Sequence, residues 1–143
     1  MRKSELMTLW NVESWVVEPY GVYFVSRRLG TNRLENEAQA FQKLNISCTS
    51  YTEVEVLSLP MWKQLSVELD ELDQLAQELI QKEIPQEETI VLTLTDIMLD
   101  KSGCYDAFAL GYDVGESPAG HLYLLVPFDE NFTAQQDVIY ETL

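Results

Sequence analysis

The strongest apolar pattern in the chain lies between Cys104 and Phe128. Two runs rich in aromatic and aliphatic residues, 104–112 and 121–128, flank a loop holding Gly115, Pro118 and Gly120. Such runs around residues that break regular structure predict a long β-hairpin. Neither run alternates, so both faces are expected to be covered and the pair to lie inside a sheet. Upstream, Ser4 is placed to cap a short helix with Leu6, Leu9 and Trp10 near one face. The stretches 15–17 and 22–25 are strand-like, and Pro19-Tyr20-Gly21 between them reads as a turn, giving a first hairpin.

Asn32 followed by Glu35 resembles a capping box. Leu34, Ala38, Phe41 and Leu44 then recur at helical spacing and predict a helix over 33–45. Residues 45–50 read as a polar loop. From Tyr51 to Leu59, Val54 and Val56 alternate with Glu53 and Glu55, a period of two that predicts a strand with one wet face. Pro60 then opens the longest amphipathic helix, 61–82, whose stripe is Leu65, Leu69, Leu72, Ala76 and Leu79, widened by Leu75 and Ile80. Residues 89–95 predict an internal strand, and 96–103 a helical turn or loop. The tail after Asn131 is expected to form a short helix capped by Thr133, with an edge strand as the alternative.

Helices and hairpins in this order, without a regular βαβ rhythm, predict an α+β fold. Its expected form is a single mixed or mostly antiparallel sheet with helices packed against it. The 143 residues, 46% hydrophobic, are enough for one cored domain spanning 1–143. No apolar run approaches the roughly 20 residues of a membrane span, and no signal-peptide segment is visible, so a cytoplasmic location is expected. Cys48 and Cys104 stand in no metal or redox spacing and read as buried thiols.

Charge changes the picture more than composition does. The formal net charge is −15, and residues 1–63 contribute none of it, with seven acids against seven bases. Residues 64–143 hold seventeen acids against Lys82 and Lys101. Such a field repels nucleic acid and anionic membranes and speeds encounter with a basic partner.

Signals for chemistry are sparse. His121 is the one histidine, at the start of an apolar run, and reads as an ordinary strand residue more readily than as a catalytic base. Phosphate-loop and dinucleotide glycine patterns are absent. Asp96 with Asp100, and Asp113 with Glu116, are carboxylate pairs that match no calcium loop, so no metal and no cofactor is expected. In size, acidity and lack of catalytic motifs the chain resembles the small immunity proteins of bacterial toxin systems. That resemblance implies a compact α/β or α+β protein that neutralises a toxin domain, often a nuclease with a basic cleft, and it assigns no residue. The expected function is therefore non-catalytic capture of a basic protein partner. Asp70, Asp73, Tyr112, Asp113 and Glu116 are the expected contacts. The alternatives are an enzyme or ligand-binding site near Asp106, Asp113, Glu116 and His121, and a DNA mimic whose acids are spaced like phosphates.

Overall fold

The computed structural model describes residues 1–29, 41–83, 92–103, 105–118, 120–135 and 137–142. In chain order the elements are α1 (Lys3–Leu9), β1 (Val12–Glu18), β2 (Gly21–Leu29), β3 (Phe41–Thr49), α2 (Glu53–Ser58) and α3 (Trp62–Glu83). Then come β4 (Leu94–Asp100), β5 (Phe108–Ser117), β6 (Gly120–Phe128) and β7 (Ile139–Thr142). The strands form one seven-stranded sheet whose spatial order is the sequence order. All neighbours are antiparallel except β3 and β4, which run parallel. A parallel pair needs a long crossover, and α2 and α3 supply it.

Period-two alternation decides which side each residue takes. Val22, Phe24, Leu44, Ile46, Cys48, Ile97, Leu99, Phe108, Leu110, Leu124 and Val126 form one buried face. All three helices pack on it, through Leu6 of α1 and Trp10 at its C-cap, Val56 from α2, and Trp62, Leu65, Leu69, Leu72, Ala76 and Ile80 from α3. Trp62 joins the layers: its ring meets Phe24 at 5.7 Å and Trp10 at 5.9 Å, both edge-on, and its indole N–H donates to the Val56 carbonyl at 2.8 Å. The opposite face carries Tyr23, Val25, Asn45, Ser47, Asp96, Met98, Gly111, Tyr123 and Leu125, and no helix covers it among the described residues.

The α+β class, the first hairpin and the long helix stand as the sequence predicts. The 105–128 hairpin is also present, and at its base residues 108–112 and 124–128 are buried on both faces. Five expectations are corrected. The stretch 41–49 is a strand, not the end of a helix and a loop; residues 33–40 lie outside the described residues. The segment around Val54 and Val56 is a helix, because Thr52 and Glu55 close a capping box on it. Of the strand expected at 89–95, residues 89–91 lie outside the described residues, and the observed strand runs from Leu94 through 96–100, where a helical turn or loop was expected. Ser4 lies inside α1, whose N-cap is Arg2. The tail forms the edge strand β7 and not a helix.

Candidate functional site

The tip of the β5–β6 hairpin gathers three of the residues singled out by sequence. The ladder slips between Asp113 and Gly115, and Gly115 takes φ 96°, a value that favours glycine. The Gly115 N–H donates to Asp113 Oδ1 at 2.9 Å, which fixes that carboxylate on the bulge. Across the ladder Glu116 stands opposite His121 and Asp113 opposite Tyr123. The imidazole fills the space between the two acids: Nδ1 lies 2.9 Å from Glu116 Oε1 and Nε2 lies 2.6 Å from Asp113 Oδ1. The Tyr123 ring sits 5.0 Å from the imidazole.

One strand further in, Asp96 lies beside Gly111 on the same helix-free face. A side chain at Gly111 would crowd it: a Cβ there would sit 3.0 Å from Asp96 Cβ and 3.1 Å from Leu125 Cδ2. Thr95 Oγ1 donates to Asp96 Oδ2 at 2.7 Å. Glu141, opposite Tyr123 on β7, adds another exposed acid.

The titration shifts describe one negative neighbourhood. Hydrogen bonds that the imidazole donates to Glu116 and then to Asp113 push the His121 pKa above its ordinary value. Burial raises Asp96, and the nearby Asp113 charge adds to it, against the Thr95 hydrogen bond. Tyr123 is raised by burial and then by Asp113, Asp96 and Glu116. Both imidazole nitrogens are engaged by carboxylates, so the arrangement favours an imidazolium clasp and leaves no ring nitrogen to take a substrate proton. Among the described residues no three His, Cys, Asp or Glu side chains converge as a metal-binding set.

The other expected site residues lie elsewhere. Asp106 accepts a hydrogen bond from Gln135 Nε2 at 2.5 Å and faces Asp129 and Glu130 beyond the far end of β5. Tyr112 and Asp73 require a correction as contact residues. Tyr112 has no exposed surface and Asp73 is 6% exposed; the phenol donates to Asp73 Oδ1 at 2.5 Å, and Gln77 Nε2 donates to the same oxygen at 3.0 Å. They are a polar link between α3 and β5 inside the core. Asp70 is exposed on α3, beside a depression lined by Leu9, Ser26 and Arg27. It therefore stands on the helix side of the sheet, while Asp113 stands on the helix-free side, so the two do not share one flat contact surface.

Sequence reasoning did not single out Tyr123 or Glu141 and left Asp96 in a helical turn or loop. The signal for Asp96 was available in Ile97 and Leu99, whose alternation with Asp96, Met98 and Asp100 marks a half-buried strand. No family model, curated protein or solved structure matches the chain.

Proposed function

We propose that this chain is a non-catalytic binding protein that captures a basic protein partner on the helix-free face of β4–β7. The partner class is a basic toxin domain of the kind that small acidic immunity proteins neutralise. One observation carries the reading. Asp96, Asp113, Glu116 and Glu141 gather around Tyr123 and His121, and from Leu92 to Thr142 the sequence offers one Lys or Arg, Lys101, which is already bound to Glu55. An aromatic ring within a rim of acids suits a cationic surface, and the field speeds its arrival. The engaged imidazole weighs against the catalytic alternative.

The test is to isolate a partner with the intact chain as bait and measure association and dissociation rates at low and high salt. The association rate should fall by roughly tenfold or more as salt rises. Glu116→Lys with Glu141→Lys, both exposed, should slow capture strongly, and Asp70→Lys on the helix side should leave it nearly unchanged. An acidic partner, or rates indifferent to salt and to the face reversals, would overturn the proposal. Competition by duplex DNA for the partner's same site would replace it with the DNA-mimic reading.

A further inference from the structure

A sheet ordered β1 to β7 ends in two edge strands, and each presents a row of backbone N–H and C=O groups with no strand partner among the described residues. The two edges differ in charge. Near β7 stand Glu141, Asp137 and Glu83, whose carboxylate accepts from the Val138 N–H at 3.2 Å. Near β1, Glu13 lies 3.4 Å from Arg27 and 3.3 Å from Lys43, and Glu53 lies 3.5 Å from Lys3, while Glu18 is an exposed acid at the end of the strand. The β1 edge is also the more apolar. Val16 is 45% exposed, Val17 53%, and Tyr20 in the following turn 67%. After one irregularity between Val12 and Ser14, β1 pairs regularly through Glu18.

We propose that β1 is a self-association edge: the β1 strand of a second copy pairs antiparallel with it about a two-fold axis and continues the sheet. Such an interface is isologous, so the strand must tolerate itself as a neighbour. A two-fold centred on Val16 sets Val16 against Val16, Trp15 against Val17 and Ser14 against Glu18. No like charges meet, and β-branched and aromatic side chains pair across the seam.

The net charge of −15 does not forbid this: of the seventeen acids in residues 64–143, nine lie on or beside β4–β7, while six lie on α3, of which Asp70 stands nearest the β1 side, beside Arg27. Strands β4–β7 lie three to six spacings from β1, about 14–29 Å at ~4.8 Å per strand. That exceeds the Debye length of about 8 Å at physiological salt. A second copy at β7 would instead bring Glu141 and Glu83 toward their own images. The axis stands perpendicular to the sheet, so the helix-free faces of both copies end on the same side. A short strand pair buries less than the ~1,200–2,000 Å² of a stable interface, so the dimer is weak and concentration-dependent.

Sedimentation equilibrium of the full chain from micromolar to millimolar concentration tests this. The weight-average mass should rise toward a dimer, and amide hydrogen exchange in Val12–Glu18 should slow with concentration while exchange in Ile139–Thr142 does not. The double variant Val16→Lys with Val17→Lys should weaken dimerisation by at least about tenfold. Val67→Lys, at an 82% exposed site on α3, should not. A monomer throughout the range, a dimer unaffected by the double variant, or protection appearing at β7 instead would each overturn the proposal. None of these outcomes depends on the nature of the captured partner.

Discussion

His121 shows how far single residues can be read without the fold. Its place beside Gly120 put it at a hairpin tip, and Asp113 and Glu116 were legible there because Gly115, Pro118 and Gly120 announce the loop. That the ring would be held by both acids was not legible, since the bulge at Gly115 sets the register. Tyr112 and Asp73 failed for a related reason. An aspartate on a helix reads as a wet residue until its partner, 39 residues away, is known to lie above it. The clasp makes a pH prediction. The folded-state pKa of His121 is raised from 6.5, so its contribution to stability is fully present below 6.5 and is lost as pH climbs through the raised value. The side chain is 31% exposed, so water screens the effect and it should loosen the tip without unfolding the chain. An NMR titration should place the imidazole above 6.5 and show faster amide exchange at the tip once it deprotonates. Glu116→Gln should lower that midpoint, because Glu116 is the leading cause. A wild-type midpoint at or below 6.5 would mean that the clasp is not formed in solution.

At the scale of elements, length and caps separate the patterns that read correctly from those that did not. The 22 residues of α3 give the helical period room to show, and its bounds emerged within a residue. The six residues of α2 do not: Val54 and Val56 look like one face of a strand, yet Val54 is 74% exposed and Val56 fully buried. The decisive signal was Thr52 with Glu55, whose carboxylate also binds Lys101 and is pulled down to about 2, chiefly by that partner. In β3, Leu44, Ile46 and Cys48 alternate inward, but Leu44 also fits a helical spacing with Phe41 and was assigned to the wrong element. Even in α3 the sequence drew the stripe too wide. Leu72 is 6% exposed, whereas Leu75 is 40% exposed and the wall is completed by Trp62 and Ile80. Leu72→Ala should therefore cost roughly 2–5 kcal/mol in urea unfolding, and Leu75→Ala less than about 1 kcal/mol. Equal losses at the two positions would mean that the helix is rotated from the orientation described.

For the whole molecule, the α+β class was legible from the succession of short patterns, but the strand order was not. Nothing local says that β3 and β4 become parallel neighbours across α2 and α3, because a sheet's order is decided by long-range pairing. Charge asymmetry was legible in full, and it leads to a prediction that weighs two opposed effects. The ion pairs Lys3–Glu53, Arg27–Glu13 and Lys101–Glu55 are all partly exposed, and such pairs contribute about 0–1 kcal/mol each. Against them stand seventeen acids and two bases in residues 64–143. Two like charges 10 Å apart in water repel by about 0.4 kcal/mol, and with so many acids the pairwise terms accumulate to more than the few exposed pairs return. Salt weakens both effects, so the larger one sets the sign, and here that is repulsion. Raising sodium chloride from about 0.05 to 0.5 M should therefore stabilise the fold at neutral pH by on the order of 1 kcal/mol, read as a higher urea midpoint. The gain should be greatest in amide protection across β5 to β7 and smallest in β1 to β3, where the charges balance. A midpoint that falls with salt would mean that the ion pairs outweigh the repulsion, and an even gain across the sheet would point to general salt effects on apolar burial instead.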